Sequence, residues 1–247
     1  MSESNGVLIT GISSGIGAAI ARSFARDGFR VAGTFASNAE RAARLVAEVE
    51  SEGGVIRIDR CDAFDLSGIA PVVDELTGWL GGVDVLVNNV GGPIRRTSFM
   101  ELDDETWSQA YVLNLGQVVA TTRAVLRGGM LAAGRGAIVN ISSIASRTGS
   151  PGLGVHYASL KAALNVFTLG LAKELGPLGI RVNAIAPGTI DTPMQQLSPP
   201  GHVEAIRERI PLRRIGTTDD VVEAVRFVTS DAASFVTGET WFVAGGY

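Results

Sequence analysis

The chain has 247 residues, of which 46% are hydrophobic, and its formal net charge at pH 7 is −4. This length and composition suffice for one large core, so residues 1–247 are expected to form a single domain. The acidic balance argues against a nucleic-acid partner, because phosphate binding requires a concentrated basic face.

The cysteine content and the apolar runs bear on the compartment and on membranes. Cys61 is the only cysteine and cannot form an internal disulfide, which fits a reducing compartment. The N-terminus has no basic region followed by a long apolar run, and no stretch approaches about 18 consecutive apolar residues. Neither histidine lies in a cluster of metal-ligand residues. We therefore expect a cytoplasmic protein without a membrane span or a bound metal.

Short β-branched runs alternate along the chain with Ala-, Leu- and Val-rich segments of helical periodicity. The runs predicted as strands are residues 6–10, 29–35, 55–59, 83–89, 136–142, 180–187 and 240–244. Parallel strands need crossover connections, which the helical segments supply. The alternation therefore predicts an α/β fold with a doubly wound, seven-stranded, mostly parallel sheet and helices on both faces.

The first predicted strand runs directly into a glycine-rich turn, LITGISSGIG, at residues 8–17, and a helical segment follows. Gly11, Gly15 and Gly17 would let the backbone approach a pyrophosphate, while the helix N-terminus presents unpaired N–H groups and the positive end of its dipole. A plain tight turn is the alternative. The position of the glycine-rich turn between the first strand and the first helix favours the dinucleotide phosphate site over a plain turn.

The end of the second predicted strand bears on the choice of dinucleotide. Sites for NAD usually place an acid about 20 residues beyond the glycines to hold the adenosine ribose. Here the sequence reads GTFASNAER, and no acid occurs before Glu40. Ser37 and Asn38 could donate hydrogen bonds to a 2′-phosphate, with Arg41 as a candidate charge partner. The segment therefore favours NADP(H) over NAD(H).

A second candidate site is the stretch VHYASLKAALNVF, in which Tyr157 and Lys161 lie one helical turn apart. A free tyrosine has a pKa near 10, too high for an efficient proton acceptor at neutral pH. A neighbouring ammonium favours the phenolate, so we expect Lys161 to lower the pKa of Tyr157. A solvated surface pair is the alternative.

These motifs, in this order, make the chain resemble the short-chain dehydrogenase/reductase family. The matching segments are residues 10–17, Asp62 after the third strand, NNVG at 88–91, Asn114, Ser143, Tyr157 with Lys161, and PGTIDT at 187–192. The resemblance covers essentially the whole chain and implies a Rossmann-type fold. Within the family the pattern is most similar to the β-ketoacyl thioester reductases, chiefly through residues 210–231 and 238–247.

The resemblance implies a role for each of four polar residues. Tyr157 would give a proton to a carbonyl oxygen while NAD(P)H delivers hydride, and Lys161 would hold the nicotinamide ribose and join a proton relay. Ser143 would hydrogen-bond the substrate oxygen. Asn114 would anchor a relay water, with a helix-packing amide as the alternative. Ser142 is the alternative to Ser143, because either serine could turn the chain after the strand.

The resemblance also implies the cofactor contacts. Asp62 would hold the adenine amino group, although it could instead cap the helix that begins near Asp65. Ser14 stands where many NADP-preferring members carry a basic residue, which speaks against that preference. The expected cofactor-binding residues are Gly11, Ser13, Ser14, Gly15, Ile16, Gly17, Ser37, Asn38, Asp62, Ala63, Asn89, Gly91, Tyr157, Lys161, Pro187, Gly188, Ile190 and Thr192.

The expected activity is reduction of a ketone, most directly a β-ketoacyl thioester, to a secondary alcohol. Sugar, polyol, steroid and simple alcohol substrates stay open, as does a non-catalytic dinucleotide sensor. Whether the substrate is bound to a carrier protein also stays open. Acidic carrier proteins need basic docking sites, but KELGPLGI lacks a basic residue in the turn before the sixth strand and LAAGRGA offers only Arg135. Residues 194–210 read as a substrate loop, with a plain surface excursion as the alternative. The resemblance implies a homotetramer formed through the helices that carry Asn114 and Tyr157, although their apolar faces could equally be ordinary core.

Overall fold

The computed structural model describes residues 5–193 and 201–247. They form a sheet of seven strands in the order β3-β2-β1-β4-β5-β6-β7, with every neighbouring pair parallel. The strands are β1 (Gly6–Thr10), β2 (Arg30–Phe35), β3 (Val55–Arg60), β4 (Val85–Asn88), β5 (Gly136–Ile141), β6 (Ile180–Pro187) and β7 (Thr240–Val243). Each lies within two residues of a predicted strand, and the α/β prediction is confirmed.

The helices flank this sheet on both faces. They are α1 (Gly15–Arg26), α2 (Ala39–Ser51), α3 (Leu66–Leu80), α4 (Asp104–Tyr111), α5 (Gln117–Val125), α6 (Leu131–Ala133), α7 (Ala145–Thr148), α8 (Val155–Leu175), α9 (His202–Arg209) and α10 (Thr218–Thr229). Two π-helical segments, Val112–Gly116 and Leu126–Met130, interrupt the run from α4 to α6. No helix in the described ranges is long and apolar enough to cross a membrane.

The core is split into two layers by the sheet. One layer packs apolar side chains of α1, α2 and α10 against the sheet, and the other packs those of α3, α5 and α8. Along β1, Val7 and Ile9 lie in the first layer and Leu8 in the second, because successive side chains of a strand point to opposite faces. Burial on both faces explains why this strand is apolar throughout.

The strand order reverses at β1, which pairs with β2 on one side and with β4 on the other. Connections that leave two such strands turn to opposite faces of the sheet and open a crevice at the carboxyl ends. The glycine turn follows β1 directly, so it lies in this crevice. The fold thus places the predicted phosphate site where open α/β sheets bind ligands.

The predicted substrate loop at 194–210 differs in part from the structure. Residues 194–200 lie outside the described residues. Residues 202–209 form helix α9, so this part of the predicted substrate loop is helical, and its role as a substrate loop stays a prediction. The helix is short, begins after Gly201, and four of its eight residues are charged, so its sequence shows little of the apolar periodicity that marks a core helix.

Candidate active site

The glycine turn between β1 and α1 is built for close approach of its backbone. Gly11 and Gly15 have φ angles of 66° and 54°, which favour glycine. A Cβ at Gly17 would lie 2.4 Å from the carbonyl oxygen of Gly11. Helix α1 receives no side-chain cap from Ser14 and has no acid in its first turn. Its first N–H groups are therefore suited to an anion, as a dinucleotide phosphate requires.

A clamp from the end of β4 holds this turn in place. The Asn89 amide nitrogen donates hydrogen bonds to the carbonyl oxygens of Thr10 and Gly11, at 3.0 and 3.1 Å. In return the Thr10 hydroxyl accepts from the backbone N–H groups of Asn89 and Val90. The side chain of Asn89, predicted as a cofactor contact, thus fixes the glycine turn.

A cleft of about 280 Å³ extends from the turn towards the ends of β2 and β3. The predicted cofactor residues that line it are Gly11, Ser13, Ser14, Ser37, Asn38, Asp62 and Ala63. Arg41 and Cys61 line it as well. Burial raises the pKa of the Cys61 thiol. The cleft thus brings together three segments that lie far apart in sequence, as a dinucleotide site would need.

Two polar residues of this cleft have local structural partners. The side-chain oxygen of Asn38 caps α2 by accepting from the Arg41 N–H at 2.8 Å, so its NH₂ group is the part that could donate to a ligand. The Asp62 carboxylate accepts from the Phe64 N–H at 2.9 Å, while Asp65 caps α3. The alternative in which Asp62 caps that helix is therefore wrong.

Sequence reasoning missed Arg60, at the end of β3. Its Nε donates to the carbonyl oxygen of Ala36 at 3.1 Å, in the loop that carries Ser37 and Asn38. The register of β2 with β3, which pairs Phe35 with Arg60, creates this contact. Arg60 thus adds a cation beside the loop in which an acid is missing.

Lys161 is buried in the fold, with 2% of its surface exposed. Its Nζ donates to the carbonyl oxygen of Ile141 at 2.8 Å and lies 5.8 Å from the centroid of the Tyr157 ring. Burial lowers the pKa of Lys161 to about 8. The structure thus confirms that the two side chains are neighbours and excludes a solvated surface pair.

The pKa of Tyr157 differs from the sequence prediction. Burial raises this pKa, and a hydrogen bond from the Ser143 hydroxyl opposes the rise in part. Burial disfavours the charged forms of both Tyr157 and Lys161, and the lysine ammonium is bonded to a backbone carbonyl rather than to the phenol. The prediction of a lowered pKa is therefore wrong for the protein as it stands, in which the phenol is held neutral.

The structure separates the two serines that follow β5. Ser142 is buried, and its hydroxyl donates to the carbonyl oxygen of Lys161 at 3.2 Å. Ser143 lines a cavity of about 400 Å³ together with Tyr157. Its hydroxyl oxygen accepts from the Ala145 N–H at 3.1 Å, which orients it at the start of α7. Ser143 is thus the serine that lies beside the phenol.

Asn114 lies in the π-helical segment after α4 and is fully buried. Its NH₂ group donates to the carbonyl oxygens of Gly92 and Ala110, and its oxygen accepts from the Gly92 N–H, each at 3.0 Å. The side chain therefore has the packing role given above as the alternative. Its part in a proton relay stays a prediction.

Gly91 lies beside the side chains of both Asn114 and Lys161. A Cβ at Gly91 would lie 2.7 Å from the lysine Nζ and 2.9 Å from the asparagine oxygen. Gly91 also has a φ angle of 157°. The space that a side chain would fill is therefore bounded by both functional groups, as expected for a residue beside the middle of a bound cofactor.

The segment after β6 supplies the remaining predicted contacts. Gly188 lines the cavity beside Tyr157, while Pro187 ends the strand. Ile190 is buried in the core, so its backbone rather than its side chain is available to a ligand. The Thr192 methyl would lie 3.5 Å from a Cβ at Gly15, so this residue lies beside the phosphate turn.

Other residues of the cavity were missed by the sequence reasoning. These are chiefly Arg96, Leu153, Thr189, Ile206, Arg209 and Tyr247. They come from the β4–α4 connection, from the segments before α8 and after β6, from α9 and from the end of the chain. The sequence signals that covered some of them were PGTIDT at 187–192, which contains Thr189, and the predicted substrate loop at 194–210, which contains Ile206 and Arg209.

Comparison with known proteins agrees with this geometry. Residues 11–247 match the model of a family described as Enoyl-(Acyl carrier protein) reductase. The 3-oxoacyl-(acyl-carrier-protein) reductase FabG of Pseudomonas aeruginosa is 38% identical over 241 residues, which cover 97% of this chain and 95% of that protein. The whole chain is therefore comparable with a characterised class of enzyme.

Two solved structures extend the comparison to cofactors. A short-chain dehydrogenase from Burkholderia cenocepacia in complex with NADP superposes with a TM-score of 0.89 at 34% identity, covering 97% of this chain and 96% of its own. A 3-oxoacyl-(acyl-carrier protein) reductase from Brucella melitensis with bound NAD superposes with a TM-score of 0.90 at 37% identity, covering 99% of this chain and 91% of its own. Both carry a nicotinamide dinucleotide on the same fold. The family match and these relatives show that the chain belongs to the short-chain dehydrogenase/reductase family of NAD(P)-dependent oxidoreductases.

Proposed function

We propose that the protein reduces a ketone, most directly a β-ketoacyl thioester, to a secondary alcohol with NADPH. The observation that carries the proposal is the shared cavity of Ser143 and Tyr157, above a buried Lys161 at the carboxyl edge of the sheet. The 3-oxoacyl reductase relatives support the same substrate class. Sugar, polyol, steroid and simple alcohol substrates use the same chemistry and are the alternatives. A dinucleotide sensor without turnover would not need these three groups together.

The bound cofactor would supply hydride to the carbonyl carbon. The neutral phenol of Tyr157 suits this direction, because a reduction needs a proton donor for the carbonyl oxygen. Ser143 would donate a hydrogen bond to that oxygen and stabilise the negative charge that develops on it. The phenolate left behind would regain its proton from Lys161, whose pKa of about 8 allows exchange near neutral pH.

The residues present fit the cofactor along its length. The glycine turn and the uncapped start of α1 would hold the pyrophosphate. Gly91 leaves space beside Lys161, which would hold the nicotinamide ribose. We favour NADP(H), because Ser37 and Arg41 line the adenosine end of the cleft and Arg60 lies beside its loop. A cytoplasmic location completes the proposal and fits the free Cys61.

A homotetramer is the assembly we propose. Trp107 and Tyr111 on α4 are 42% and 47% exposed, and Val166 and Leu169 on α8 are 71% and 43% exposed. Apolar side chains on two neighbouring helices form a surface that association would cover. Light scattering of the purified protein tests the assembly. A monomeric mass at micromolar concentration would contradict it.

The activity is tested by mixing the protein with NADPH and a short β-ketoacyl thioester and following the loss of reduced-nicotinamide absorbance. We expect turnover that falls by roughly 10²- to 10⁴-fold in Tyr157→Phe, because the variant lacks the proton donor. Binding of NADPH, measured by fluorescence, should persist in that variant. Tyr111→Phe on α4 is the matched control and should retain activity. Undiminished turnover in Tyr157→Phe would refute the mechanism.

A further inference from the structure

The cavity that contains Ser143 and Tyr157 has an uneven charge. Its charged lining residues, among those the structure describes, are Arg96 and Arg209, and no aspartate or glutamate is among them. The chain as a whole has 25 acidic and 21 basic residues. The charged side chains of this lining are therefore opposite in sign to the net charge of the protein.

The two arginines reach the cavity from separate elements. Arg96 precedes α4, and Arg209 is the last residue of α9. The Arg209 guanidinium lies 5.0 Å from the centroid of the Tyr247 ring, and that ring lines the same cavity. A guanidinium stacked on a ring still directs its N–H groups sideways, in the plane in which it binds carboxylate or phosphate. The Tyr247 ring thus lies against Arg209 at the cavity, and among the described residues no side chain or carbonyl oxygen accepts a hydrogen bond from the Arg209 guanidinium.

A second stacked arginine shows that this placement is specific. The Arg147 guanidinium lies 4.8 Å from the centroid of the Phe242 ring, a similar distance, but Arg147 is not among the residues that line the cavity. Stacking alone therefore does not bring an arginine to the substrate. Arg147 offers a matched control with the same charge and a similar ring contact.

From this arrangement we infer that the substrate carries an anionic group, a phosphate or a carboxylate, which Arg209 holds while the carbonyl lies at Tyr157 and Ser143. This inference rests on the proposed reductase activity and adds the charge of its substrate. Arg96 lines the same cavity. Arg209 is exposed, so salt should screen its attraction and raise the KM for the anionic substrate.

Three substrates test the inference and separate the sources of the anion. Acetoacetyl-coenzyme A carries phosphates, acetoacetate carries a carboxylate, and the acetoacetyl thioester of N-acetylcysteamine has the same reacting group without charge. For Arg209→Gln we expect the KM of an anionic substrate to rise about tenfold, the effect of one charged hydrogen bond, and that of the neutral thioester to stay within about twofold. For Arg209→Lys we expect a KM for the anionic substrate between those of the unmodified protein and Arg209→Gln. Arg147→Gln should change the KM of neither the anionic nor the neutral substrate.

The pattern of losses identifies the anion. An effect confined to acetoacetyl-coenzyme A indicates a phosphate, and one confined to acetoacetate indicates a carboxylate. An equal change for charged and neutral substrates, or no change for any, overturns the inference while leaving the reductase activity in place. Circular dichroism of each variant checks that α9 is retained.

Failure of the proposed function has a different signature. If the unmodified protein reduces none of the three substrates, the β-ketoacyl proposal fails. Calorimetric titration of acetoacetyl-coenzyme A and of acetoacetate into protein saturated with NADP⁺ then decides the inference by itself. Saturation keeps the nucleotide of coenzyme A out of the cofactor cleft. Weaker binding of either anion to Arg209→Gln than to Arg147→Gln supports the inference, and equal binding overturns it.

Discussion

The side-chain amide of Asn165 donates a hydrogen bond to the hydroxyl of Ser146 at 3.0 Å. That hydroxyl donates in turn to the backbone carbonyl oxygen of Ser143 at 2.7 Å. Asn165 follows Tyr157 and Lys161 at successive four-residue steps on α8, so all three share one face of the helix. The helix that carries the phenol and the ammonium therefore also holds the turn that carries the serine.

This chain of hydrogen bonds makes Asn165 a positioning residue. We expect Asn165→Ala to lower kcat by roughly tenfold, because small displacements of a catalytic group are costly, and to leave the KM for NADPH unchanged. Ser146→Ala should lower kcat by a similar factor, whereas Ser146→Thr, which keeps the hydroxyl, should retain most of the kcat of the unmodified protein. The double variant Asn165→Ala/Ser146→Ala should be no slower than either single one. Additive losses in steady-state kinetics would show that the two residues act separately.

Burial of Lys161 makes the stability of the cofactor-free protein depend on pH. Its pKa is lowered to about 8 from 10.5, so below pH 8 the fold carries the full cost of a buried charge. Between pH 8 and 10.5 the unfolded chain binds more protons than the folded one, and the contribution of this residue to stability rises by roughly 3 kcal/mol.

Lys161→Met should remove this pH-dependent contribution. At pH 7 the variant should be more stable than the unmodified protein and inactive, and the stability difference should shrink as the pH rises towards 10.5. Lys173→Met, at an exposed position on the same helix, is the control and should show no such trend. Thermal unfolding followed by circular dichroism across this range measures the difference. A constant difference between the two proteins would contradict the assignment.

The space at Gly91 predicts a sharp steric effect. Gly91→Ala would place a methyl carbon 2.7 Å from the lysine Nζ and impose a φ angle of 157° on alanine. We expect turnover to fall by about 100-fold, since the ammonium must move. Gly129→Ala separates the clash from the backbone strain, because Gly129 has a φ angle of 139° and its added methyl would have no neighbouring atom within 4 Å. Both variants should lose stability, and only the first should lose activity. Equal activity losses would assign the effect to strain.

Arg41 is expected to set the choice between the two dinucleotides. Arg41→Gln should raise the KM for NADPH about tenfold and leave that for NADH unchanged, because a charged hydrogen bond to the 2′-phosphate is lost. Arg44→Gln is the control, as Arg44 is exposed on the same helix and does not line the cleft. Steady-state kinetics with each cofactor measures the effect. A parallel change for both cofactors would argue against 2′-phosphate recognition.

The sequence by itself determined the elements whose signals are local. The β-branched runs predicted every strand within two residues. The signal is strongest for β1 and β4, which are buried along their whole length, because strands buried on both faces are apolar nearly throughout. The turn at Gly11 and Gly15 was readable because only glycine adopts those angles cheaply. The spacing of Tyr157 and Lys161 fixed their proximity, since residues four apart on a helix are always neighbours.

Only the tertiary structure decided the properties that depend on burial and on contacts between distant segments. The direction of the Tyr157 pKa shift followed from desolvation by burial, which the Ser143 hydrogen bond opposes in part, and no local pattern encodes either effect. The link from Asn165 to Ser146 and the place of Arg209 at the cavity likewise join residues from separate elements. Such contacts are set by how helices pack on the sheet, because the chain alone fixes only what neighbours along it can do.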